Sequence, residues 1–358
     1  MENASPSFWQ ASWKRLKKNK GAMAGLVMII LAVSIAIFGY FISPDPSPYA
    51  NRIILEIGGE KPGYKQSFLL IKKETKQTTG FFERLIYGKT DRNDFIPISS
   101  YIESGDSIIV EKYIDEGVNE KMALAKTDLA KEPIVHKTFL LGTDTYGRDI
   151  LSRLVIGTRI SLSVGLITVL ISLTVGITLG SIAGYFRGRW DNIIMWLINV
   201  IWSIPTLLLV FAITLMLGKG FWQVFIAVGL TMWVNVARLV RGQVLSIREL
   251  EYIEATRVLG FSHFRTIFRH ILPNIMGPVL VIAASNFASA IVIEAGLSFL
   301  GVGVQPPQPS WGLMIKENYS FIITQNPMLA LAPGFAIMLL VLAFNLLGNG
   351  LRDALDVR

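Results

Sequence analysis

The sequence predicts an all-α polytopic membrane protein with six transmembrane helices and a small extracytoplasmic insert that is β-rich or α+β. Three observations point there. Of 358 residues, 52% are hydrophobic and 17% charged, and the mean hydropathy is +0.49, too apolar for a string of soluble domains. The apolar residues gather into stretches long enough to cross ~30 Å of hydrocarbon as helices. Charges are segregated from them. Residues 44–153 hold 16 Lys/Arg and 17 Asp/Glu, and the rest of the chain holds 18 and 9. The basic excess therefore flanks the apolar stretches, as the cytoplasmic ends of spans require, and its partner is membrane lipid. No nucleic-acid partner is expected, because such a domain needs its basic residues on a soluble face. The absence of cysteine excludes disulfides, thiolate metal sites and cysteine nucleophiles.

In chain order, residues 1–20 form a basic N-terminus with Lys14, Arg15, Lys17, Lys18 and Lys20 at its end. The next residues, 21–43, make the first span, with no charge from Gly21 to Ile42. A cleaved signal peptide is the alternative. Its apolar core runs only about 7–15 residues, and no small-x-small cleavage site follows here. Pro44-Asp-Pro-Ser-Pro48 ends the helix, and residues 44–140 read as the insert. Arg52–Ile57, Gln66–Lys72 and Asp106–Ile114 are its β-favouring runs, punctuated by Gly58-Gly59, Pro62-Gly63 and Gly105. Residues 141–159 read as an interfacial helix carrying Ile150, Leu154 and Val155, with Arg148, Arg153 and Arg159 in the headgroups, or else as a solvated loop.

A five-helix core over 160–348 follows. Ile160–Phe186 carries Gly176, Gly180 and Gly184 at i, i+4 and i+8, a row that permits close helix packing. Ile193–Leu217 is interrupted by Pro205, which predicts a kink. After the short turn Gly218-Lys219-Gly220, Phe221–Val240 crosses back to Arg238 and Arg241. Ile275–Gly296 and Leu329–Leu347 complete six spans, and 349–358 is the tail with Arg352 and Arg358. Six spans put both termini on one side. That side holds the N-terminal lysines, Arg187, Arg189, the arginines of 238–269 and the tail, whereas the opposite short loops hold only Lys219 and Lys316. Both termini and the loop 241–274 are therefore expected in the cytoplasm and the insert outside.

Few residues offer chemistry. The three histidines, His136, His263 and His270, lack metal-ligand spacing. No serine or threonine has a visible base. The run Gly58–Lys65 fails as a phosphate loop because Tyr64-Lys65 stands where Lys-Ser/Thr is required. Glu294 is the one acid inside an apolar span. A charge at that depth costs about 2.5–3.5 kcal/mol on insertion scales, so such residues line a path or pair with something. The alternative is that Glu294 lies near its helix end and reaches water.

The segment Glu249–Asn274, ELEYIEATRVLGFSHFRTIFRHILPN, bears charges between two apolar stretches. Ile247, Leu250, Ile253 and residues 255–259 give a short helix with Glu249, Glu251 and Glu254 on its polar side. Gly260 takes the left-handed conformation that ends a helix, and Ser262 caps a second one running to Pro273. Small Ala255 allows close approach, and Leu259 and Phe261 fit a partner's groove. A generic amphipathic loop is the other reading, and the residues alone leave both open.

Glu254-Ala255-Thr256, Gly260 and Leu272-Pro273 resemble the cytoplasmic signature of binding-protein-dependent ABC importer permeases. That signature reads roughly E-A-A, three residues, G, nine residues, I-x-L-P. Thr256 replaces its second Ala, and His270 stands where Ile is expected. LGTDTYGRDILSRLVIGTRISL before the second span, EAGLSFLGVGVQPPQPSWG after the fifth and the LRDALDVR tail are similar to the peptide/nickel permease group, C-type subunit. The resemblance covers 8–43 and 136–358 and leaves out most of the insert.

The resemblance implies the type I ABC importer permease fold in a bacterial plasma membrane. It implies a second homologous permease as heterodimer partner, two cytoplasmic ATPase subunits and an extracytoplasmic solute-binding protein that delivers peptide. It implies no catalytic residue and no cofactor in this chain, Mg-ATP being used by the partner ATPases. The coupling residues carried over are Glu251, Glu254, Ala255, Arg257, Leu259, Gly260 and Phe261, with Glu294 as a path or structural residue. The cargo is di- or oligopeptide, with a nickel chelate or another small solute as the alternative. A secondary transporter would carry charges in several spans and repeat symmetry. A membrane-anchored enzyme would keep its site in the insert.

Overall fold

The computed structural model describes residues 8–73, 80–218, 220–323 and 326–355. Lys219 and Arg358, both used in the charge count, lie outside the described residues. Two amphipathic-to-apolar helices open the chain, α1 (Phe8–Lys18) and α2 (Lys20–Ile42). The insert holds β1 (Tyr64–Lys72), α3 (Phe81–Tyr87), β2 (Asn93–Ser104), β3 (Ser107–Asp115), β4 (Val118–Ala125) and β5 (Leu129–Phe139). Helices α4 (Ile150–Phe186), α5 (Gly188–Trp202), α6 (Thr206–Leu217) and α7 (Phe221–Arg248) follow. Then come α8 (Glu251–Val258), α9 (His263–Thr266), a π turn over Ile267–Ile271, α10 (Leu272–Phe299), α11 (Trp311–Asn318) and α12 (Met328–Leu355). Among the described residues, five helical stretches are long and apolar enough to span a membrane, and the α5–α6 pair, taken as one bent span, brings the number to six.

The chain divides into two compact units. One comprises Met1–Ala32, Ser161–Gln305 and Ile337–Arg358, the other Val33–Ile160 and Pro306–Ala336. In the first, the predicted glycine row brings α4 against α7. A Cβ at Gly176 would lie 2.5 Å from Cβ of Val236, and one at Gly180 would lie 2.5 Å from the Ala237 carbonyl. Only hydrogen fits there, so the backbones approach and valines of α7 fill the groove. The same unit holds a core of Val164, Val210, Val224, Phe225, Val228 and Leu297. The Pro205 interruption is sharper than the predicted kink, because α5 and α6 meet at 94°. Pro205 supplies no amide hydrogen, and Ser203 already closes α5 by donating to the Asn199 carbonyl at 3.0 Å.

In the second unit the insert is an antiparallel sheet of order β4-β3-β2-β1-β5. β1 is buried on both faces: Phe68 joins Ile54, Ile57 and Phe139, while Leu69 joins Ile98, Ile108, Val110 and Leu129. That alternation is the period-two geometry of a strand with apolar layers on both sides. The predicted runs Gln66–Lys72 and Asp106–Ile114 fall in β1 and β3. Arg52–Ile57 is not a strand. It ends in a single 3-10 turn, Leu55–Ile57, which aims Ile57 into the Phe68 cluster.

The segment 141–159 departs furthest from expectation. It is not a separate interfacial helix, because Ile150 starts the 37-residue α4. Arg148 and Arg153 are not in headgroups either. Their side chains are 4% and 1% exposed and share Asp144 and Glu317, with Arg148 Nε 2.6 Å from Asp144 and Arg153 Nη2 3.1 Å from Glu317. Two cations and two carboxylates compensate one another, so burial is tolerable; removing one partner of such a set costs about 3–5 kcal/mol. Gly147, at φ +70°, lets this turn pass so close to Ile54 that a Cβ would lie 1.7 Å from its carbonyl oxygen.

Candidate functional site

The candidate coupling segment grows out of α7. Glu249 leaves the helix and pairs with Arg187, whose hydrogen bond and charge hold the Glu249 carboxyl below the usual range. Leu250 is extended, and α8 begins at Glu251 with Glu251 and Glu254 in its first turn, where carboxylates complement the helix dipole. Ile253 and Thr256 form the buried face, three residues apart. Ile253 packs with Val240, Val244, Ile267 and Ile271. Thr256 donates to the Ile253 carbonyl at 2.7 Å and lies 3.3 Å from the Thr266 hydroxyl, which is also buried. The replacement of the signature's second Ala by Thr thus stays inside the segment, while Ala255 is exposed.

The turn is a Schellman motif. The Phe261 amide donates to Thr256 and the Gly260 amide donates to Arg257, each at 3.0 Å. Gly260 has φ +73° with nothing within 4 Å of where a Cβ would stand, so its requirement is backbone conformation, not space. Ser262 caps α9 by accepting from the Arg265 amide at 3.3 Å. The second helix does not stop at Pro273. It continues through the π turn into α10, so that 263–299 is one helical stretch. Pro273 has no amide hydrogen for the preceding turn, and the widened turn, with Leu272 bonding back to Ile267, accommodates it.

Of the carried-over residues, Glu251, Glu254, Ala255, Arg257, Leu259 and Gly260 are all exposed on one short stretch, and Phe261 is half-buried. Phe261 stacks on His270 at 5.7 Å, with the Arg265 guanidinium 4.2 Å from its ring. Arg257 leans over the Tyr185 ring, whose hydroxyl lies 3.0 Å from His263 Nδ1. Sequence reasoning missed an apolar surface beside them. Beside the expected Leu259, Val258 is 85% exposed and Phe264 68%, and the Phe264 ring lies 4.2 Å from that of Phe268 in a tilted arrangement. The i, i+4 spacing of the two phenylalanines was the available signal.

Glu294 is fully buried in α10 and does not reach water. It accepts a 2.6 Å hydrogen bond from Ser298, whose hydroxyl in turn accepts from the Val304 amide at 3.0 Å. The carboxylate therefore braces the turn after the span. A separate cavity of about 440 Å³ opens among the α5–α6 break, α7, α10 and α12. Its polar lining includes Thr206, Asn235, Ser289, Asn286 and Asn345. Uncharged amides at that depth cost less than carboxylates or ammonium groups yet still hydrogen-bond.

Comparison with known proteins agrees with this architecture. Residues 176–358 match the family described as binding-protein-dependent transport system inner membrane component. Residues 7–55 match the N-terminal TM domain of oligopeptide transport permease C. The dipeptide transport system permease protein DppC of Bacillus subtilis is 32% identical over 356 residues, 99% of this chain and 88% of that protein. The glutathione transport system permease protein GsiD of Pectobacterium atrosepticum is 45% identical over 216 residues, covering 60% of this chain and 71% of that one. The oligopeptide permease OppC of Bacillus subtilis is 41% identical over 220 residues, covering 62% and 72%. This multi-pass chain belongs to the binding-protein-dependent transport permease family, in the C-type group of peptide ABC importers.

Proposed function

We propose that this chain is the permease subunit of an ATP-driven importer of di- or oligopeptides, one half of a heterodimeric path formed with a second homologous permease. The observation that carries this reading is the end-to-end similarity to a dipeptide permease, insert included. Of the two ATPase subunits, one engages the exposed Glu251–Phe261 surface together with the Phe264–Phe268 pair, and the other engages the second permease. A solute-binding protein docks on the side of the insert. In this reading both termini are cytoplasmic, as the basic flanks of the spans require.

ATP binding in the partner subunits moves α8 and α9. Because α9 is continuous with α10, a displacement of the segment is transmitted as a rigid helix to the residues of the amide-lined cavity. Asn235, Asn286 and Asn345 there match peptide-bond donors and acceptors without preference for side chains. Glu294 is a structural residue in this scheme. The chain itself hydrolyses nothing.

Deletion of the gene is expected to abolish uptake of a labelled dipeptide or oligopeptide, and re-expression to restore it. Unchanged peptide uptake alongside a lost nickel-chelate uptake would replace the cargo with the metal complex.

A further inference from the structure

The insert carries one short helix that has no place in its sheet. α3 reads FFERLIY, and four of its seven side chains are large, apolar and open: Phe81 62%, Phe82 75%, Ile86 51% and Tyr87 64% exposed. In water such a helix would leave several buriable side chains unburied, each forgoing most of its transfer free energy. It is nevertheless held firmly. The Phe81 ring lies 5.4 Å from Phe41 in the last turn of α2, and the Arg84 guanidinium lies 4.5 Å from that same Phe41 ring. At its other end Arg159 donates to the Leu85 and Ile86 carbonyls at 3.0 and 3.1 Å, a cation on a helix C-terminus. Gly88, at φ +85°, turns the chain so tightly that a Cβ would lie 2.7 Å from the Pro46 carbonyl and 2.8 Å from the Tyr40 ring.

Apart from Pro46, which follows α2 directly, these anchor points belong to two spans: Tyr40 and Phe41 in the last turn of α2, Arg159 in the third turn of α4. The open side chains of α3 are therefore held beside the end of α2, which itself exposes Phe38 and Ile42. Aromatic rings backed by arginine at that level are the composition of a membrane–water interface. We propose that α3 is an interfacial anchor, which inserts Phe82, Ile86 and Tyr87 among the lipid headgroups and upper acyl chains and so ties the insert to the bilayer surface.

The natural absence of cysteine makes a depth measurement direct. Single variants Phe82→Cys, Ile86→Cys and, as an aqueous reference on the open end of β2, Ile102→Cys carry a nitroxide each. The importer complex containing each variant, prepared without the solute-binding protein so that residue 102 stays open to water, is reconstituted into phosphatidylcholine–phosphatidylglycerol vesicles, and collision rates with oxygen and with a water-soluble nickel chelate are compared. All three side chains are exposed, so labelling leaves the sheet core intact. The expected result is an oxygen-to-nickel ratio at 82 and 86 at least threefold above that at 102. A ratio equal to that of 102 would mean the helix faces water. Shielding from both reagents would mean another protein chain covers it. Either result overturns the anchor.

Discussion

Glu254 gives the cleanest single-residue test of coupling, because its side chain is exposed in the first turn of α8. Glu254→Lys reverses a favourable charge–dipole interaction, which costs this chain only about 0.3–1 kcal/mol. The variant is expected in the membrane at normal levels but without ATPase subunits in co-purification. Undiminished capture would move the contact elsewhere. Gly260 is a harsher version of the same test, since a β-branched residue at φ +73° costs about 1–2 kcal/mol or more and would also displace Phe261. In the insert, Lys137 offers a pH-dependent observable. Burial and the nearby Arg52 push its ammonium down to about 8. The folded state holds this proton less tightly than the unfolded chain, so the penalty is fully present below pH 8. It is relieved as pH rises from about 8 toward the ordinary lysine value, which stabilises the insert across that window. Competitive acetylation read by mass spectrometry should show Lys137 half-reactive near pH 8, while exposed lysines are still largely protonated. Co-titration with those lysines would contradict the buried geometry.

Among the elements, the spans were legible and their ends were not. Apolar stretches locate α2, α4, α7, α10 and α12, yet α4 begins ten residues before the expected Ile160 and α7 runs on to Arg248. Hydropathy marks where lipid lies, whereas a helix continues for as long as its hydrogen bonds are satisfied. The Arg148–Arg153 reading failed for a related reason, because one of the two pairing carboxylates, Glu317, is 164 residues from Arg153 and invisible to local pattern. β2 and β5 were missed because Pro97 and Pro133 interrupt them, and β4 because its Glu-Lys-Met-Ala-Leu-Ala favours a helix. In each case pairing with a neighbouring strand overrode propensity. The coupling turn was legible in full, since Gly260 and Ser262 act through their own backbone neighbours. So was the glycine row, which carries its own prediction. Gly180→Leu must push α4 away from the Ala237 backbone, and overpacking of this kind costs about 1–3 kcal/mol. The thermal midpoint of the purified protein should fall, and Gly242→Leu on α7, where nothing lies within 4 Å of a Cβ, should leave it unchanged. Equal effects would mean that the stripe is not a packing seam.

At the scale of the whole molecule the question is what the insert contributes to an importer whose spans and coupling segment follow the family pattern. Its two ends meet, since Gly63 donates to Phe139 at 2.8 Å and Tyr64 pairs with Phe139, so the sheet is a self-contained outgrowth of the chain between α2 and α4. Its apolar residues are not all used internally. Ile102 on β2 and Ile109 on β3 are direct cross-strand partners, and both are exposed. Ala123 extends the same face onto β4. A paired aliphatic surface on an open sheet face forgoes burial that a protein partner would supply. In the proposed orientation the partner available on that side of the membrane is the solute-binding protein, and the insert is our candidate for its docking surface. The double variant Ile102→Glu, Ile109→Lys replaces the aliphatic pair with a charged one directly across the ladder. That arrangement is tolerated or slightly favourable in a solvated sheet, so the insert should keep its fold. Capture of the binding protein by the vesicle-reconstituted importer is expected to drop about tenfold, equivalent to about 1.4 kcal/mol, with ATPase co-purification unchanged. Normal capture and normal uptake in this variant would assign the docking role to the loops between spans and leave the exposed pair without a partner.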